Sequence, residues 1–113
     1  MGNNFRKVTY EDWKREGEER FGPAMRDWKF KCPVCGHVQG FKDFLALGVP
    51  EEEARSVTGF SCIGRWMDKA RDAFEEGEGP CNYAGGGLFA LNPVTVHVPE
   101  GHDDYTVFEF ADA

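Results

Sequence analysis

The sequence predicts a small α+β domain, zinc-ribbon-like, with N-terminal and central helices and an antiparallel C-terminal sheet. Three observations carry this. A Cys-Pro-Val-Cys-Gly-His turn stands at 32–37, with two further cysteines downstream. Apolar residues recur at helical spacing through the first two thirds of the chain, and at a spacing of two from residue 94 onward. The length of 113 residues fits one domain, 1–113, by the usual size of about 100–200 residues.

The elements follow in order. Residues 1–9 read as a lead-in. Thr9 or Tyr10 opens a helix, with Glu11 and Asp12 suiting its positive end. Trp13, Gly17 and Phe21 share one face, and Gly22-Pro23 stops the run. Residues 27–31, DWKFK, alternate charge with Trp28 and Phe30 and predict a half-buried strand. Phe41, Phe44 and Leu45 predict a short helix ending at Gly48. Pro50 at the first helical position, with Glu51 to Glu53, starts another. The central helix is placed at 62–76, where Ile63, Trp66, Met67, Ala70, Ala73 and Phe74 mark one face. The tail reads as β: LFALN, then VTVHV, a polar turn PEGHDD, and YTVFEF returning.

The cysteines carry the chemistry. Two residues between Cys32 and Cys35 let both sulfurs approach one ion at about 2.3 Å. Pro33 stiffens the turn, and Gly36 supplies the permissive backbone after the second ligand. Cys62 and Cys81 complete a four-thiolate structural Zn2+ site, although a 15-residue helix of about 22 Å between them is a geometric obstacle. The alternatives are a three-cysteine site completed by His37 or another histidine, disulfides, a thioredoxin-like redox pair, and buried free thiols. Iron is the expected substitute metal.

Charge is uneven. The net is −7; residues 1–71 hold all 13 Lys and Arg against 11 Asp and Glu, and residues 72–113 hold nine acids and no base. One reading is solubility. The other is an acidic face, centred on Glu100, Asp103 and Asp104, that meets a basic partner. A duplex-binding module is disfavoured, because it needs a concentrated basic footprint. Arg26, Lys29, Lys31 and Lys42 interleave with Trp28, Phe30, Phe41 and Phe44, a pattern that suits single-stranded bases. Alternation places those rings in the core instead. Glycines 85–87 lack the lysine and spacing of a phosphate loop and read as a close backbone approach.

The segments WKFKCPVCGHVQ, CIGRW and GPCNYAGGGLFALNPVTV resemble a group of small proteins of unassigned activity encoded by bacteriophages and prophages. The resemblance spans roughly residues 10–110. It implies that the four cysteines form one metal site and that the chain comes from a phage or mobile element. It implies no activity; residues 67–80 depart from the group's pattern and read as a long connection, lengthened by an insertion, which would ease the geometric obstacle between Cys62 and Cys81.

Composition, with 41% hydrophobic and 29% charged residues, disfavours membrane, secreted and fibrous classes. No apolar run approaches the roughly 18 residues that span a bilayer, and the N-terminus has no signal-type apolar region. The expectation is a cytoplasmic, non-catalytic accessory protein that binds a host or phage macromolecule, most plainly a protein. Three alternatives stand beside it: an acidic inhibitor of a host nucleic-acid-binding defence protein, a single-strand nucleic-acid binder, and a zinc enzyme. No catalytic carboxylate pair or serine–histidine–aspartate order is present, and four thiolates leave no open coordination position.

Overall fold

In the computed structural model, which describes residues 5–67, 72–73, 79–85, 91–98 and 103–111, two small sheets face one aromatic core. Strand β1 (Arg6–Thr9) leads directly into helix α1 (Tyr10–Phe21). The Thr9 side chain caps the helix by accepting from the Asp12 amide at 3.1 Å, and Glu11 and Asp12 occupy the first turn. Gly22 ends it at φ 101°, a conformation that only glycine adopts freely. Strand β2 (Lys29–Lys31) and strand β3 (Val38–Gly40) pair antiparallel across the cysteine turn. Helices α2 (Phe41–Ala46) and α3 (Glu51–Val57) follow. Pro50 flanks α3, one position before its first residue.

Strands β4 (Val94–His97), β5 (Tyr105–Val107) and β6 (Glu109–Phe110) complete the sheets. The first sheet runs β1-β4-β5 and the second β3-β2-β6. Val94 and Val96 are buried while His97 is exposed, as the period of two predicts. The architecture is α+β, with three α-helices and two sheets among the described residues.

Four expectations need correction. The lead-in is not structureless: residues 6–9 form β1, which pairs parallel with β4, so the C-terminal sheet is mixed. Local pattern gave no signal because the partner lies near residue 94. The helix expected at 62–76 is a 3-10 turn at Ile63–Trp66, and Met67 is already extended. The Cys62 amide bonds to the Tyr83 carbonyl and the Ile63 amide to Gln39 Oε1, which fixes this segment by tertiary contacts. Residues 68–71 and 74–76 of that expected helix lie outside the described residues. Within LFALN, residues 88–90 lie outside them too, and Leu91 and Asn92 are not strand. Finally, YTVFEF is two strands. Phe108 donates its amide to the Gly59 carbonyl at 2.7 Å, which breaks the ladder and passes the chain from the first sheet to the second.

Trp13 on α1 fills the space between the sheets. Its ring packs edge-on to Trp28 and stacks on Phe30 and Phe110, at centroid distances of 5.4, 6.5 and 5.8 Å. Cys32, Cys62 and Cys81 belong to this same buried cluster. A second cluster of Phe44, Val49, Ala54 and Ile63 joins α2 and α3 to the 3-10 turn, with Trp66 packed against it.

Candidate metal centre

Cys32 leaves the end of β2, and Cys35 sits one turn later. The turn is closed by the Gly36 amide donating to the Cys32 carbonyl at 2.9 Å, with Gly36 at φ 78°. The Cys32 amide donates to the His37 carbonyl at 3.0 Å, and the Val34 amide points at Cys32 Sγ at 3.4 Å. On the other side, the Cys62 amide donates to the Tyr83 carbonyl at 3.0 Å, which sets Cys62 beside the segment carrying Cys81. The obstacle seen in the sequence is removed because the 3-10 turn is short and Met67 turns the chain away from a helix. Asn82 holds the connection by accepting from the Ala73 amide and donating to Asp72.

All four sulfurs lie within 4.8 Å of one another. Cys32 and Cys81 are 3.9 Å apart, and Cys35 and Cys62 are 3.7 Å apart. Four sulfurs placed tetrahedrally about 2.3 Å from one ion lie about 3.8 Å from each other. The same distances are far beyond the roughly 2.05 Å of a disulfide, and the four thiols are free. Three of the four are buried and Cys35 is half-buried. The donor set therefore fits a metal ion on geometry as well as on composition, and His37 is not part of the converging group.

The electrostatics agree. The Cys62 thiol is pulled down to about 5, first by a hydrogen bond from Cys32 and then by the amides of Gly64 and Cys81, against the penalty of burial. Cys32 is pushed well above the ordinary thiol value by its hydrogen bond to Cys62 and by burial, and burial raises Cys81 to about 11. One thiolate sharing protons with its neighbours is what a cation resolves by replacing those protons.

A polar frame that local pattern did not single out holds the second half of the site. Gln39 is fully buried. Its amide donates to the carbonyls of Thr58 and Ser61 at 2.7 and 2.8 Å, and its oxygen accepts from the Ile63 amide at 2.8 Å. Ser61 Oγ accepts from the Gly85 amide, and the Tyr83 hydroxyl bonds to both Leu91 and Asn92. A Cβ at Gly85 would collide with the Phe60 carbonyl, so the glycine is there for close approach. The available signal was a lone amide side chain between Val38 and Phe41.

Residues 9–111 match the model of one family, VVA0879-like. The chain belongs to the VVA0879-like family. In this VVA0879-like chain the matched span takes in all four cysteines and the Gln39 frame. No curated protein and no solved structure matches it.

The remaining candidate residues are less concentrated than the sequence suggests. Asp103 is exposed. Asp104 accepts from His97 Nδ1 at 2.8 Å and pairs with Lys7 at 3.3 Å, and these contacts, His97 first, lower its carboxyl below the usual range. Glu100 lies outside the described residues. Glu109 is taken by Arg6, which also forks onto Glu16. Near the knuckle, Trp28, Phe30 and Phe44 are buried and Phe41 is half-buried, so these rings serve the core. Among the described residues, no helix is long and apolar enough to cross a membrane.

Proposed function

We propose that the chain is a non-catalytic accessory protein, of phage or prophage origin and cytoplasmic in the bacterial host. In this reading a structural Zn2+ holds a surface that binds a host or phage protein. The observation that supports it is the closed sulfur cluster: four converging cysteines, three of them buried, fill a tetrahedral shell and leave no position for substrate or water. Soft thiolates in this geometry favour zinc, with iron the usual substitute. The proposed contact face is acidic, around Glu100, Asp103 and Asp104, and its partner is basic.

The test begins with metal analysis of purified protein, expected to give one zinc per chain. The tagged protein is then used to capture partners across a salt series. The expected result is a basic protein whose association slows steeply as the Debye length shortens from about 10 to 3 Å. Neutralising Glu100, Asp103 and Asp104 together should weaken that capture. A partner held equally well by the neutralised variant and at high salt removes the acidic face. Metal-dependent turnover of a substrate removes the non-catalytic reading.

A further inference from the structure

A cleft of about 910 Å³ opens between the first sheet and the α2–α3 side of the fold, and none of the four cysteines lines it. That is the size of a pocket for a small organic molecule. Its walls are predominantly apolar and aromatic: Tyr10, Trp13, Trp28, Phe60 and Tyr105 contribute rings, and Met25 forms part of the rim. Two of these, Met25 and Tyr105, are exposed large apolar side chains.

The polar groups are unbalanced in one direction. Trp13 is 7% exposed; among the described residues its indole N–H has no acceptor, but that nitrogen is closed off from the cleft as well as from water. The other two indoles are satisfied, Trp28 by the Gly22 carbonyl and Trp66 by Glu53. The lining hydroxyls of Ser56 and Thr58 already donate to backbone carbonyls. The one carboxylate of the lining, Glu51, is engaged by Arg55 at 2.6 Å. Arg26 lines the same cleft and makes no ion pair among the described residues. The cleft therefore offers two guanidiniums, Arg26 and Arg55, against one carboxylate.

We propose that this cleft binds a planar aromatic anion, a ring system bearing a carboxylate or phosphate, with the ring among Tyr10, Trp13 and Tyr105 and the charge at Arg26. Flat rings gain edge-to-face and offset contacts against such walls, which an acyl chain does not. The anion answers the guanidinium of Arg26. This site is independent of the metal centre and of the macromolecular reading above.

The experiment uses the metal-loaded full chain and calorimetric titration with 2-naphthoate, its uncharged analogue 2-naphthalenemethanol, and decanoate. The expected result is one saturable naphthoate site per chain, with both other probes at least about tenfold weaker, the scale of one charge-assisted hydrogen bond. Arg26→Gln is exposed and unpaired, so it keeps the fold, and it should weaken naphthoate about tenfold. Ala24→Trp, at a half-buried lining position with extended backbone, fills the cleft and should abolish binding. Absence of saturable binding overturns the proposal. So does naphthoate affinity unchanged by Arg26→Gln and Ala24→Trp, or decanoate binding as tightly as naphthoate.

Discussion

Gln39 shows how one side chain fixes a metal centre without touching it. Its three hydrogen bonds tie the carbonyls of Thr58 and Ser61 and the amide of Ile63 into one frame, and Cys62 sits inside that frame. Removing it strands buried backbone groups, each costing about 1–3 kcal/mol. Gln39→Ala should therefore lower the unfolding free energy by about 3 kcal/mol or more, read by urea titration, and should also loosen the metal, read as faster transfer to a chromophoric chelator. Unchanged metal transfer would show that Cys62 is held by other contacts. At the ligands themselves, Cys35→Ser leaves three sulfurs and an incomplete shell. It should lose the metal and melt at a temperature close to that of the chelated wild type; retention of one zinc per chain would show that a water or His37 can substitute. The Cys32–Cys35 knuckle was legible because its spacing is itself the geometry. The role of Gln39 was not, because its partners lie far along the chain.

Among the elements, α1 is the clearest case of a helix shaped by what it packs on. Gly17 lies in its interior and is buried. On propensity alone, alanine there should gain about 1 kcal/mol. A Cβ at that position would come within 2.5 Å of the Trp28 ring, which is 1% exposed and cannot move aside. Gly17→Ala should therefore destabilise, by about 1–3 kcal/mol, and a thermal melt should show a lowered midpoint. A raised midpoint would mean that Trp28 relaxes freely. The same scale explains which elements the sequence reveals. α1, β2, α2, α3 and β4 carry their own periodicity and punctuation, and each lies where the pattern predicts. β1 and the division at Phe108 depend on partners far along the chain, Pro93 and Val94 for the one and Gly59 for the other. The apolar face read at 62–76 is real at Ile63 and Trp66, which pack with Phe44, but two contacts do not require a helix.

For the molecule as a whole, the sulfur cluster is part of the main core. Cys32, Cys62 and Cys81 are buried with Trp28, Phe30, Phe108 and Phe110. Structural zinc contributes about 10–16 kcal/mol in small zinc-binding peptides, as much as the typical net stability of about 5–15 kcal/mol for a domain. Full demetallation should therefore unfold much of the chain, seen as loss of far-ultraviolet dichroism and of the cooperative melt. An unchanged spectrum would make the metal an ornament on a self-sufficient core. Each thiol must lose its proton to ligate, so metal retention should also fall as the solution is acidified from neutrality. That dependence is measured by metal release at equilibrium, and its absence would contradict thiolate ligation.

The passage of the chain through Phe108 has a consequence for biosynthesis. β1 waits for β4, and β2 receives its second neighbour only from β6. A ribosome that has delivered the first hundred residues has made all three helices named above and two of the three strands of the second sheet, but not the third. The aromatic rings around Trp13 stay wet until Phe110 arrives to stack on them. Folding so dependent on late, distant pairings is slow relative to helical domains of this size, and chains stalled before that point present their tryptophans to proteases and to one another.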